Sequence, residues 1–298
     1  MGGSSGLLIA TDFTGIRKTM NIITGKAKVA AVLGWPVEHS RSPLLHNFWL
    51  NRYGIDGVYI PLAVKPENFK KVIIGLSASG FKGCNITIPN KEIAFSCCDE
   101  VDEIARKIGS VNTLTFKNDG KIFGTSTDGA GFIESLRDHN IRIKNCNVLI
   151  LGAGGAARSV ISSLAHEKAK ITIANRTNSR ALQLAQDLGA GNVIAWDAWT
   201  SLLGQYDLLV NTTSLGMEGK ESFDFDLSKA KSGLVVTDIV YVPRLTPLLK
   251  VAKEFNLKTI EGLGMLLHQA RFGFREWFGV DPKVDSETIE YVAKTIRE

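Results

Sequence analysis

Gly152, Gly154 and Ala157 stand in the register G-x-G-x-x-A directly behind a short apolar run at residues 148–151. That spacing suits the holding of a pyrophosphate against the main chain. Glycine at 152 permits a tight turn, glycine at 154 lets the backbone approach the phosphates, and Ala157 keeps the following helix near its strand. Free N–H groups in that helix's first turn would face the anion, helped by the positive end of the helix dipole. After a second apolar run at 170–174 come Asn175, Arg176 and Thr177, with Arg180 one turn later. A protein that binds NAD usually carries an acid here to hold the ribose hydroxyls. A guanidinium pairs instead with a 2′-phosphate through two parallel hydrogen bonds. NADP is therefore the expected cofactor, although solvated helix-surface charge is the plainer account of both arginines.

Other residues able to do chemistry are spread along the chain. Ser40 and Ser42 fall at a strand-to-helix junction, flanked by His39 and His46. Ser42 before Pro43 has the form of a helix N-cap. Ser40 has no such local explanation, and two hydroxyls at this junction could bind a polyol or a carboxylate. The histidines lack an acidic or thiol companion, so no metal is expected. Alternation puts Asn85 and Thr87 on one face of a strand and Ile86 and Ile88 on the other. Lys91 then opens a short helix against the helix dipole, a misfit that hints at a purpose other than stability. Asn112 lies in a strand, and Asp128 reads most simply as an N-cap. Residues 211–217, N-T-T-S-L-G-M, form a polar loop at the carboxyl end of a strand, where open α/β sheets bind ligands. Gln269 sits on an apolar helix behind Gly262-Leu263-Gly264, which reads as a hinge aiming it at a cleft.

Positioning these residues takes alternating strands and helices. In the first half the patterns predict strands at 28–33, 58–64 and 83–88, and helices at 43–53, 66–77 and 99–107. A hairpin of 110–116 and 121–125 turns across Asn118-Asp119-Gly120. A long helix at 130–140 leads to the link 142–146. Beyond it, strands are expected at 148–151, 170–174, 193–195, 207–212, 234–241 and 258–261. Helices are expected at 156–168, from Arg180 to 188, at 247–255 capped by Thr246, at 266–278 and at 285–297. The fold class is α/β.

The bulk numbers agree with that class. A chain of 298 residues has room for two domains with cores of their own. It is 44% apolar and 22% charged, with no apolar run long enough to cross a bilayer. The net charge of +5 comes from interspersed lysines and arginines, which argues against a nucleic-acid tract and suits anionic small molecules. Cys84, Cys97, Cys98 and Cys146 form no C-x-x-C pair and read as reduced, mostly buried thiols of a cytoplasmic protein. The Gly/Ser-rich start is set aside, with residues 1–25, as a flexible leader.

Taken in order, the motifs resemble those of the shikimate dehydrogenase family across nearly everything after the leader. They are G-W-P-V-E-H-S-R-S-P-L-L-H-N, G-C-N-I-T-I-P-N-K, G-S-V-N-T, T-D-G-A-G-F and G-x-G-M-L-L-x-Q-A, with GAGGAA, N-R-T-x-x-R and N-T-T-S-L-G-M in the nucleotide half. The resemblance implies reversible NADPH-dependent reduction of 3-dehydroshikimate to shikimate, in chorismate and aromatic amino-acid biosynthesis. It implies two α/β domains: a Rossmann-like NADP-binding domain, 128–262, inserted into a discontinuous substrate-binding domain, 26–127 with 263–298, and a cleft between them. By position, Lys91 and Asp128 become the catalytic pair. Ser40 and Ser42 would bind the substrate carboxylate, Thr87, Asn112 and Gln269 the ring hydroxyls, and Tyr241 would flank the substrate. Gly152, Ala153, Gly154, Gly155, Ala156, Asn175, Arg176, Thr177, Arg180, Thr212, Gly262 and Met265 would hold the cofactor. The implied assembly is a monomer or homodimer.

Two departures stand out: Ser126 where the family commonly has Asn before T-D-G, and Val242 where it often has Asn after the tyrosine. Rival readings are a quinate/shikimate enzyme, a non-catalytic metabolite sensor and a folate-linked methylene dehydrogenase. NAD serving as well as NADP would favour the first, and loss of Lys91 or Asp128 the second. The third leaves H-S-R-S-P unexplained.

Overall fold

The computed structural model describes residues 9–11, 17–19, 23–219 and 225–296. Of the leader assigned to 1–25, Ile9–Thr11 (β1) and Arg17–Thr19 (β2) pair as an antiparallel ladder separate from the sheets that follow. Most of the remaining leader residues lie outside the described residues. Thr24 is tied down, its backbone N–H and hydroxyl both donating to Asp56.

The first six-stranded sheet contains Lys28–Gly34 (β3), Gly57–Ala63 (β4), Gly83–Ile86 (β5), Glu100–Val101 (β6), Thr113–Phe116 (β7) and Ile122–Thr125 (β8). Its order is β4-β3-β5-β7-β8-β6. β3 runs parallel to β4 and β5, while β7 is antiparallel to both of its neighbours. Apolar side chains leave β3 on both faces. Ala30 and Val32 enter one core; Ala31 and Leu33 enter the other. Such two-sided burial explains why β3 reads as an unbroken apolar run.

The second sheet contains Asn147–Leu151 (β9), Lys170–Ala174 (β10), Asn192–Ile194 (β11), Leu208–Asn211 (β12), Val235–Asp238 (β13) and Lys258–Ile260 (β14). Its order is β11-β10-β9-β12-β13-β14, with every pairing parallel. The order in which strands are added reverses between β9 and β12, so a crevice opens at the carboxyl ends of those two strands. Val148 and Ile150 face one core, Leu149 and Leu151 the other.

Ten α-helices are described. Ser42–Arg52 (α1), Phe69–Ala78 (α2) and Lys91–Ser96 (α3) belong with the first sheet, and Glu103–Ile108 (α4) lies between the two, with Ala105 in the core of the first and Ile108 in that of the second. Asp128–Asp138 (α5) leads to the second, followed by Gly155–His166 (α6), Asn178–Leu188 (α7) and Pro247–Glu254 (α8). Leu263–Phe278 (α9) and Ser286–Ala293 (α10) return the chain to the first sheet. Leu267, Phe274 and Trp277 of α9 pack with Ala30, Val32 and Trp49, and Trp277 Nε1 donates to the Leu114 carbonyl of β7 at 3.0 Å. The second sheet is therefore an insertion between two stretches that share one core.

Several local expectations give way to tertiary partners. The helix expected at 99–107 is split: β6 is taken up by Phe123 and Gly124, and Asp102 caps α4 by accepting from Ala105 N–H at 2.6 Å. Gly262-Leu263-Gly264, expected as a hinge before the helix, is not a separate loop: α9 already begins at Leu263. A Cβ on Gly262 would lie 2.5 Å from the Ile239 carbonyl oxygen, so this glycine serves close packing. The strand expected at 234–241 stops at Asp238, whose carboxylate folds back onto Val240 N–H. The final helix, expected to reach 297, is assigned only to Ala293, with Asp285 as its cap; residue 297 lies outside the described residues.

Candidate active site

A cleft of about 530 Å³ lies between the two sheets, and Ser40, Ser42, Thr87, Lys91, Asn112, Asp128, Tyr241 and Gln269 all line it. They come from segments far apart in the chain. Ser40 and Ser42 stand behind the end of β3. Ser42 is the first residue of α1 and not its cap, a place taken by Arg41. Ser40 instead supplies the capping oxygen, accepting from Ser42 N–H at 3.3 Å. Thr87 follows β5, held by its own N–H on the Leu33 carbonyl. The strand ends at Ile86, so the alternation expected to carry Ile88 to the opposite face fails. Ile88 is 74% exposed on the cleft rim.

Lys91 is the first residue of α3, and its ammonium donates to Asp128 Oδ2 at 2.5 Å. Asp128 is not an N-cap; it is the first residue of α5, and its carboxylate turns to tertiary donors. Asn112 Nδ2 donates to Asp128 Oδ1 at 2.7 Å, so each carboxylate oxygen has a separate donor. The amide of Asn112 cannot be turned round: its Oδ1 accepts from Thr127 N–H at 2.7 Å, a group that can only donate. Gln269 closes the group, accepting from Asn112 Nδ2 at 3.3 Å while its own amide donates to the Leu266 carbonyl. An amine, a carboxylate and two amides thus converge on one point, a set able to exchange a proton with a substrate oxygen while gripping its neighbours.

The histidines part company. His39 is exposed on the cleft wall, whereas His46 is fully buried and stacked on Tyr59 with ring centroids 4.0 Å apart. Burial pushes the His46 ring down to about 3, so it stays neutral and serves packing. Among the described residues no group of three or more His, Cys, Asp or Glu side chains could hold a metal ion. All four cysteines are free, and burial raises the thiols of Cys98 and Cys146 to about 12 and about 11.

At the carboxyl end of β9 the chain makes the turn that the glycine register calls for. Gly152 has φ +110°, and an added Cβ there would lie 2.7 Å from Thr212 Oγ1. Gly154 is the extended residue before α6, with no side-chain cap, and an added Cβ on Gly154 or Gly155 meets nothing within 4 Å. That open, uncapped helix start is a cradle for an anion. Ala157 is fully buried against the sheet. Gly152 N–H donates to the Ala174 carbonyl, so Asn175, Arg176, Thr177 and Arg180 begin one strand spacing from the turn. Both arginines are exposed. Thr212 directs its hydroxyl onto the Leu151 carbonyl at 2.7 Å, bracing the turn from β12. Gly262 and Met265 line the cleft itself, beside Tyr241. These features fit a phosphorylated dinucleotide lying across the crevice.

Sequence reasoning missed Thr127 and Thr113, and gave Met217 no role of its own within the polar loop 211–217. Met217 lines the cleft from the polar loop, whose outward methionine carried no distinguishing signal. Thr127 and Thr113 are buried and hydrogen-bonded around Asn112; buried hydroxyls at strand and helix ends look like ordinary β-formers in one dimension.

Comparison with known proteins gives a consistent result. The family described as "Shikimate dehydrogenase substrate binding domain" matches residues 32–114. "Shikimate / quinate 5-dehydrogenase" matches 135–264, and "Shikimate 5'-dehydrogenase C-terminal domain" matches 262–286. A shikimate dehydrogenase (NADP(+)) of Gluconobacter oxydans is 50% identical over 93% of this chain and 99% of its own. A solved shikimate dehydrogenase in complex with NADP+ superposes with a TM-score of 0.86 at 38% identity, covering 93% of this chain and 99% of that one. The enzyme from Thermus thermophilus, solved with NADP(H) and shikimate, gives a TM-score of 0.81 at 35% identity over 90% of this chain and 98% of its own.

Proposed function

The chain belongs to the shikimate dehydrogenase family, and on that premise we propose how its residues carry the family's reaction, the reversible NADPH-dependent reduction of 3-dehydroshikimate to shikimate. The chain is an NADP-dependent oxidoreductase acting on a CH–OH group. The single observation that carries the residue assignment is the Lys91–Asp128 pair inside the cleft, with Asn112 on the second carboxylate oxygen.

NADPH, when bound, supplies the hydride; the protein supplies position, charge and the proton. The glycine turn at 152–156 with Thr212 would hold the pyrophosphate, Asn175, Arg176, Thr177 and Arg180 the adenosine end with its 2′-phosphate, and Gly262 and Met265 the side facing the cleft. Ser40 and Ser42 would take the substrate carboxylate. Thr87, Asn112 and Gln269 would grip the ring hydroxyls, and Tyr241 would close the remaining side. In reduction, Lys91 gives a proton to the carbonyl oxygen as it becomes an alkoxide, and its charge stabilises that oxygen beforehand. In oxidation the same amine takes the proton back. Asp128 holds the amine in place and would accept a hydrogen bond from a neighbouring ring hydroxyl. A substrate lacking one hydroxyl would leave a buried amide unpaired, which is the source of selectivity.

The domain division follows the same reading, with 128–262 for the dinucleotide and 26–127 plus 263–298 for the substrate. No helix among the described residues is long and apolar enough to cross a membrane. We infer a cytoplasmic enzyme of the chorismate route, a monomer or homodimer, with small-molecule partners and no nucleic acid. The test is an initial-rate assay with shikimate and with quinate, each against NADP and NAD. Turnover confined to shikimate with NADP upholds the assignment; equal turnover of quinate, or with NAD, overturns it in favour of the broader subgroup.

A further inference from the structure

A chain of covered polar side chains runs away from Asp128 into the first sheet, farther than the reaction itself requires. Asn112, Thr127, Thr113, Asn85 and Tyr59 are each at most 5% exposed and are joined by successive hydrogen bonds. We propose that Thr113 is a positioning residue for Asp128, acting through Asn112 and Thr127, with Tyr59 and Asn85 fixing the direction of its hydroxyl. The proposal rests on the reading of Lys91 and Asp128 as the catalytic pair.

The direction of each bond can be worked out from the far end. Burial holds the Tyr59 phenol well above its usual range, so it stays protonated and donates to Asn85 Oδ1 at 2.6 Å. Asn85 is thereby oriented, and its Nδ2 donates to Thr113 Oγ1 at 3.0 Å and to the Asn112 carbonyl at 3.2 Å. Thr113, having accepted on that side, has its own hydrogen left for the other. There lie Thr127 Oγ1 at 3.3 Å and Asn112 Oδ1 at 3.4 Å. That one hydrogen either goes to Asn112 Oδ1 directly or goes to Thr127 Oγ1, which then gives its own hydrogen to Asn112 Oδ1 at 3.2 Å; by either route the oxygen receives a hydroxyl as well as the Thr127 N–H. Two constraints on one amide oxygen leave its Nδ2 pointed at Asp128 Oδ1, and the other oxygen of Asp128 free for Lys91. Each bond is individually long or ordinary; their effect comes from agreeing in direction.

Thr113→Val keeps the shape and removes the hydroxyl. Asn112 Oδ1 is then steered by Thr127 alone, through its N–H and a hydroxyl no longer held from the sheet, and the carboxylate beside Lys91 gains freedom. Alignment counts most in the transition state, so kcat falls while KM moves less. The expected result, from loss of one ordinary hydrogen bond, is a drop in kcat of about fivefold with KM for shikimate within about twofold. Thr113→Ser, which restores the hydroxyl, recovers kcat to within about twofold of the parent. Tyr59→Phe gives a smaller loss in the same direction and none in the Thr113→Val background, since both cut one chain. Unchanged kcat in Thr113→Val, a Ser variant as poor as Val, or losses that multiply would each overturn the proposal. Should Thr113→Val fail to fold, Tyr59→Phe decides alone, and parental kcat there overturns it. Asp128→Asn, run alongside, separates the two layers. If it leaves turnover intact the catalytic reading itself falls; if it abolishes turnover while Thr113→Val does not, only the positioning role falls.

Discussion

Lys91 and Asp128 are 37 positions apart in the chain and 2.5 Å apart at their charged ends. The pair joins the start of a short helix on the first sheet to the start of the helix that leads into the second. Opposite charges meet in the cleft, at the place where the proposed reaction would handle its proton. Partial burial, with side-chain exposures of 33% and 16%, keeps their interaction stronger than at an open surface.

On the proposed mechanism, replacing Lys91 by Ala would remove both the proton carrier and the charge beside the developing alkoxide. Turnover is expected to fall by roughly a hundredfold or more. Shikimate affinity, measured by equilibrium titration, should stay within about threefold because the serines and amides remain in place. A variant that turns over at the parental rate would remove the amine from the chemistry.

Arg176 follows the strand beside the glycine turn, and an aspartate there would repel a 2′-phosphate while suiting a ribose hydroxyl. Arg176→Asp should raise KM for NADP by an order of magnitude or more and leave KM for NAD nearly unchanged. Paired initial-rate curves with the two cofactors provide the comparison. Equal losses on both would show that the side chain does not read the phosphate.

Asp238 is wholly buried, accepting from Asn211 Nδ2, Val240 N–H and the Thr246 hydroxyl. Desolvation outweighs these three bonds and lifts its carboxyl from 3.8 to about 6. A folded value above the unfolded one means that the protein holds this proton more tightly when folded. The resulting stability is present below about pH 4 and is lost as pH rises through about 6. Asp238→Asn keeps an acceptor for Asn211 and Val240 and can donate to Thr246. It should match the parent near pH 4 and exceed it at about pH 8. Melting curves that stay parallel across that range would contradict the assignment.

Trp277 anchors α9 to the first sheet through its indole bond to Leu114 and its packing in the shared core. Trp277→Ala should cost about 3–5 kcal/mol. If 263–298 folds with 26–127, hydrogen exchange will accelerate in β3, β5 and β7 while β9, β10 and β12 keep their protection. Uniform loss across both sheets would argue for a single cooperative unit instead of the proposed division.

Much of this molecule is legible one residue at a time, wherever backbone geometry imposes its own demand. The turn at Gly152 is such a case, since a positive φ against Thr212 allows little else. The strands of the second sheet, apolar on both faces, announce themselves for a similar reason. Ser42 and Asp128 show where local rules fail. Each has the look of an N-cap, yet the helix begins one residue earlier than the cap rule implies and the side chain turns into the cleft. The Asp102 cap and the pairing of Glu100 with Phe123 were hidden because a helical pattern does not record an available sheet edge. The chain from Tyr59 to Asn112 was hidden more deeply. Its members are dispersed between positions 59 and 127, and only folding makes them neighbours.

The contact between α5 and α9 bears on how this protein could be rebuilt. A Cβ on Gly131 would come within 2.6 Å of the Gln269 backbone nitrogen, so the two helices meet main chain to main chain. One helix opens the inserted segment, and the other begins just after it ends. A chimera cut at the segment's own boundaries would separate surfaces fitted to each other to within a methyl group. Grafting a foreign dinucleotide module would therefore require α5 and the first turns of α9 to travel together from one parent, with the splice moved outward into the loops on either side.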